Sequence, residues 1–182
     1  TTPAMSSTYT SLALAIADVN NRTAISGPVT ITLDANTPQT APAGGYSITN
    51  VAITGGSTTN RFIFDGGGNT ITAGIGTSTT TDAFFKIIGA DFITLQNFVL
   101  SESSGNTTPT TQIEWGIALL YSSATNGAQN NTIQNNTITL NRTNPNSIGV
   151  YFEMPQYGLF QDKGVRGIGG TKKNGDAYEQ RG

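Results

Sequence analysis

The chain has no cysteine, no histidine and one tryptophan, and charged residues make up only 11% of its 182 positions, far below the usual quarter. Each shortage excludes something. Without cysteine there is no disulfide framework and no thiolate zinc site. Without histidine there is no imidazole general base and no Ser-His or Cys-His catalytic pair. Apolar runs are short, so none reaches the length of a membrane span, and no signal-peptide pattern stands at the amino end. The formal net charge of −2, with a pI near 4.9, offers no field that would draw the chain to nucleic acid. The expectation is no cofactor, no metal, no nucleic-acid partner and no membrane span.

What is abundant is small and polar. Threonine (30), glycine (22), asparagine (17) and serine (13) fill 82 of 182 positions. That composition is unusual for a helical cytosolic enzyme and suits an exposed all-β protein; the lack of cysteine is compatible with secretion. Charge is unevenly spread. Residues 1–153 carry four basic and eight acidic side chains, whereas 154–182 carry five basic and three acidic. The composition changes at about Met154, which sets a boundary between a main module and a Gly-rich basic tail or the start of a further segment. That tail is a candidate for docking on a partner surface.

The first element reads as a helix over about Thr10 to Val19, with Leu12, Ile16 and Val19 on one face and Thr10 or Ser11 as N-cap. From there to about Glu153 the chain reads as short strands between turns: 28–33, 46–48, 51–54, 61–64, 69–72, 84–88, 92–95, 98–100, 117–121, 132–133, 137–140 and 148–152. Asp65-Gly66-Gly67-Gly68-Asn69 lacks phosphate-loop spacing and reads as a tight turn.

An internal repeat chooses among all-β architectures. Gly89-Ala90-Asp91-Phe92-Ile93-Thr94-Leu95-Gln96-Asn97 aligns with Gly127-Ala128-Gln129-Asn130-Asn131-Thr132-Ile133-Gln134-Asn135 at an offset of 38. A second similarity joins Gly116–Tyr121 to Gly149–Phe152 at an offset of 33. Stacked units that bury their apolar faces against one another, with loops of unequal length, spell a right-handed parallel β-helix. Leu95 and Ile133 should then point inward on adjacent or next-adjacent coils. Asn97 and Asn135 should occupy one position, either as a side-chain amide ladder or as left-handed turn residues. The helix would cover the open end of the first coil.

These residues resemble a known family. Tyr9–Ile16 followed by Ile25–Ile31, then Ile53–Phe64, Phe85–Leu95 and the asparagine-rich 130–138 are similar to the pectin-lyase-like parallel β-helix segments of large secreted or cell-surface proteins of type 9 secreting bacteria, over about residues 8–153. The resemblance implies a secreted or surface-located, structural or adhesive scaffold without catalytic residues. It also implies contact with the secretion machinery and with a surface glycan or protein partner. Because the sorting domain of such proteins is not visible here, the chain is expected to be a fragment of a larger substrate.

Carbohydrate-binding or polysaccharide-degrading activity is the alternative, since that fold also hosts lyases and glycosidases. A glycosidase needs two carboxyl groups at a defined separation, and the eleven acids here are scattered. A lyase needs a Lys or Arg base, and residues 1–153 offer only Arg22, Arg61, Lys86 and Arg142. Coiling leaves open a cluster of Asp65, Lys86 and Asp91. Trp115, Tyr121 and Tyr151 are the candidates for a sugar-stacking platform, with packing in or beside the core as the plainer reading. The Thr-Ile-Thr triplets starting at Thr30, Thr70 and Thr137 resemble ice-binding faces. Their separations of 40 and 67 follow no regular period, so simple outward threonine is expected. Five glycosylation sequons, at Asn21, Asn106, Asn130, Asn135 and Asn141, are what so Thr- and Asn-rich a chain produces by chance.

Overall fold

A computed structural model describes residues 1–50, 53–103 and 105–154; the tail from 155 onward, with the docking role expected for it, lies outside the described residues. The helix α1 is Leu12–Asn20. Ser11 is its N-cap and accepts from the Leu14 N–H at 3.3 Å, satisfying one of the donors a helix start leaves open. Leu12, Ala15, Ile16 and Val19 are buried while Leu14 faces out. Burying three large aliphatic side chains at roughly 2 kcal/mol each is what holds a helix too short to stand alone.

Thirteen strands follow among the described residues: β1 (Val29–Thr32), β2 (Gln39–Thr40), β3 (Tyr46–Ile48), β4 (Phe62–Asp65), β5 (Thr70–Thr72), β6 (Ala83–Ile88), β7 (Ile93–Gln96), β8 (Val99–Ser101), β9 (Trp115–Ser123), β10 (Asn126–Gly127), β11 (Thr132–Gln134), β12 (Thr137–Thr139) and β13 (Ile148–Phe152). They build three parallel sheets, each taking one strand per coil: β1-β4-β7-β11, β2-β5-β8-β12 and β3-β6-β9-β13. The exception, β10, folds back antiparallel on the end of β9. The protein is mostly β with one short amino-terminal helix, a parallel β-solenoid of about four coils.

The register confirms the repeat. Leu95 lies level with Phe64 on one side and Ile133 on the other; Leu95 is fully buried and Ile133 packs on the same core. The step between coils on the first sheet runs 33, 31 and then 38 residues, so turns absorb the difference while strands stay aligned. Inside, Phe62, Phe64, Ile71, Phe85, Ile87, Ile93 and Leu100 stack coil on coil, and Tyr46, Phe85 and Phe98 form an aromatic run with centroid spacings of 5.1 Å. Gly45, at φ 89°, permits the corner before β3, where a Cβ would drive into the Ala83 carbonyl.

Asparagine joins the coils at their corners. Asn136 accepts from the Phe98 N–H at 3.0 Å and donates to the Leu95 carbonyl at 2.9 Å. Asn131 does the same to Ile93 and Ala90, and Asn69 to Thr37 and Asp34. Each amide therefore bridges an N–H and the carbonyl three residues before it on the preceding coil, where the ladder is broken by a turn. At the helix end Asn20 holds Thr49 and Ser47 likewise.

Two expectations change, and one that stood open between two readings is decided. Residues 51–54 form no described strand: Thr54 makes only an isolated bridge with Ala24, and Val51 and Ala52 lie outside the described residues. Asn97 and Asn135 do share a position but sit at φ 59° and 54°, so they are turn residues. The amide ladder runs one residue earlier, from Gln134 to Gln96 at 2.8 Å and from Gln96 to the Asp65 carboxylate at 2.7 Å. The separation of 67 between the second and third Thr-Ile-Thr triplets hides two unequal steps, and Thr70–Thr72 and Thr137–Thr139 lie on one sheet with Val99–Ser101 between them.

Candidate functional site

The solenoid buries three carboxylates. Asp82 and Glu114 stand on adjacent coils just before β6 and β9, whose first residues pair. Asp82 accepts from the Thr77 and Ser78 N–H groups and the Thr77 hydroxyl. Glu114 accepts from the Asp82 N–H at 3.0 Å and from the Asn144 amide at 3.2 Å. Glu102 accepts from the Ile113 N–H at 2.8 Å. Burial pushes the Glu102 and Glu114 carboxyls above their ordinary range, and the Asp82 charge adds to the rise at Glu114. A carboxyl so raised has the chemistry of a general acid. Its position does not serve that use: Glu114 has no exposed surface, and its oxygens are engaged by protein donors. These acids act as backbone acceptors at corners.

Asp65, Lys86 and Asp91 are not gathered. Burial works to raise the Asp65 carboxyl, but donation from the Gly67 N–H, Gln96 and Asn97 outweighs it and holds the group low. Asp91 is at the opposite end of β7, raised by burial and accepting from the Gln129 N–H at 2.6 Å. Lys86 is on β6, in the third sheet. Among the described residues no group of three or more acids is placed to hold a metal ion, and no helix is long and apolar enough to cross a membrane.

Of the three aromatic candidates the fold brings two together. Trp115 and Tyr151 stack at 4.0 Å with their planes 5° apart, in a small apolar cluster separate from the main core. Trp115 is 8% exposed, while Tyr151 is half-buried. Tyr121 lies six residues along β9, paired with Gly127 in the β10 hairpin.

The second sheet carries a feature that spacing alone concealed. Thr40, Thr72, Ser101 and Thr139 are mutually in register across all four coils, and Thr70, Val99 and Thr137 across three. Ile71 and Leu100 between them are fully buried, which turns the flanking residues outward. Recurrence at unequal steps of 32, 29 and 38, rather than at one fixed period, is the signal that marks these rows.

Comparison with protein-family models, with curated proteins and with solved structures finds no match to this chain.

Proposed function

We propose that this chain is a non-catalytic solenoid module of a secreted or cell-surface protein, structural or adhesive in role. In this reading it is part of a larger type 9 secretion substrate of the pectin-lyase-like kind that it resembles. The observation that carries the proposal is the use to which the fold puts its acids. Asp82, Glu102 and Glu114 are buried as acceptors for backbone N–H groups, and Asp65 is bound by two side-chain amides. The outer face of the second sheet is left to neutral hydroxyls and one valine, and hydroxyls near pH 7 are poor acids and bases.

The test is an assay over uronate-rich and neutral glycans that follows reducing ends and unsaturated products. No turnover is expected. Turnover abolished by Asp65→Asn or Asp91→Asn would replace this reading with a polysaccharide-degrading one. The carbohydrate-binding alternative has one observation in its favour, the half-buried Tyr151 ring stacked on Trp115. Glycan binding abolished by Tyr151→Ala would establish it. Surface location is checked by fractionating cells that make the protein.

A further inference from the structure

We infer that the outer face of the second sheet binds ordered water, as an ice-binding face. This goes beyond the structural role and does not depend on it. The face is periodic in two directions. Its rows run along the solenoid axis at the strand spacing, ~4.8 Å, and stand ~6.7 Å apart, two residues along a strand. Water bonded tetrahedrally at about 2.75 Å places second-neighbour oxygens about 4.5 Å apart. Over the three steps from Thr40 to Thr139, the mismatch therefore grows only to about 0.9 Å, well short of one hydrogen-bond length. All four hydroxyls can engage one lattice plane together.

The chemistry of the face agrees. Neither row contains a charged side chain, and a charge would keep its own hydration shell in place of a lattice. Threonine is stiff at χ1, so its hydroxyl and methyl hold their places without further ordering. Among the described residues the hydroxyls of Thr40, Thr70, Thr72, Thr137 and Thr139 have no protein partner, and Ser101 makes only a long contact to the Glu102 carbonyl at 3.4 Å. The first sheet is different. There Thr132 accepts from Arg61, and Asp65, Gln96 and Gln134 bond one another, so much of that face's polar capacity is used within the protein. A glycan chain is a poorer fit to the second sheet, because sugar recognition relies on aromatic planes and directed polar groups. These rows hold no aromatic residue.

The test grows ice slowly from a solution of the full 182-residue chain and measures partition into the solid against an inert protein of similar size. Enrichment in the ice is expected. Thr72→Tyr, which raises a bulky ring from the middle of the long row, should reduce the enrichment about tenfold with an unchanged circular dichroism spectrum and melting temperature. Val99→Thr, which completes the short row with a side chain of nearly the same shape, should increase it. Exclusion of the unmodified chain to the level of the inert protein overturns the inference, as does equal partition of Thr72→Tyr. Retention on crystalline cellulose that is lost in Thr72→Tyr, without enrichment in ice, also overturns it and assigns the face to a glycan. None of these failures touches the non-catalytic reading, which the glycan-turnover assay tests separately.

Discussion

Replacing Leu95 by alanine is the sharpest probe of the stack. Leu95 has no exposed surface and sits level with Phe64 below and Ile133 above. Removing three carbon groups at about 0.8 kcal/mol each forfeits about 2.4 kcal/mol of transfer free energy. The coils on either side are tied by backbone ladders and cannot close inward, so part of the void remains. At about 24 cal/mol per Å³, a residual cavity of about 50 Å³ adds roughly 1.2 kcal/mol. The expected cost is therefore about 3–4 kcal/mol, or a fall of about 10 °C in Tm for a chain of this size. Ile133→Ala provides the internal control. Ile133 packs on the same core from the last described coil and is only partly buried, so its truncation should cost about half as much. Urea unfolding followed by circular dichroism and tryptophan fluorescence measures both, with the m-value checked for constancy. A Leu95→Ala cost under 1 kcal/mol, or one no larger than that of Ile133→Ala, would refute the stacking argument.

Two neighbouring asparagines should respond oppositely: Asn136→Gly strands the Phe98 N–H and should cost about 1–3 kcal/mol, whereas Asn135→Gly, at φ 54°, should be neutral or mildly stabilising. Equal effects on the urea midpoint would contradict the corner-clamp role. Because the Glu102 and Glu114 carboxyls are raised in the folded chain, their contribution to stability is fully present below the ordinary glutamate value of about 4.3 and is lost as pH rises through their folded values. Tm should therefore fall as pH rises above the ordinary glutamate value, and Glu114→Gln should shrink that fall; an unchanged slope counts against a raised carboxyl at Glu114. Deleting residues 1–21 should expose the first coil and drive association, seen by light scattering; a monomeric and equally stable variant would deny α1 its covering role.

Much of the architecture was legible because the same strand phrases return. The offsets of 38 and 33 in the sequence are the register steps Thr94 to Thr132 and Ile117 to Val150, and the helix was announced by Leu12, Ile16 and Val19 at helical spacing. The second sheet was harder to read. Its members are only two or three residues long. Val99-Leu100-Ser101 breaks the Thr-Ile-Thr phrase, and the steps of 29 and 38 add to a separation that matches no single period. The buried acids were invisible for another reason. A charged residue in a turn reads as solvated, and only the folded chain shows that Glu114 is turned toward the N–H of Asp82. Asparagine was ambiguous because one residue type does two jobs, holding a left-handed turn at Asn97 and Asn135 and clamping the preceding coil at Asn131 and Asn136. The unequal placement of their side chains, not their spacing, separates the two.

The helix covers the first coil, whereas β11, β12 and β13 each bound a sheet among the described residues. Among the described residues the stack thus has a covered first coil and a last coil whose outer strand edges meet no further strand. During synthesis the covered coil emerges first, so every later coil meets a finished template and closes a loop of only about 30–40 residues onto it, a modest entropic demand. The same polarity governs how such a protein can change length over evolutionary time. A duplicated unit placed after Glu153, whose N–H and carboxylate still bond Leu119 and Tyr121, would extend the rod by ~4.8 Å and leave the described contacts of the earlier coils in place. The same unit placed before Val29 would part the helix from its seat on β3.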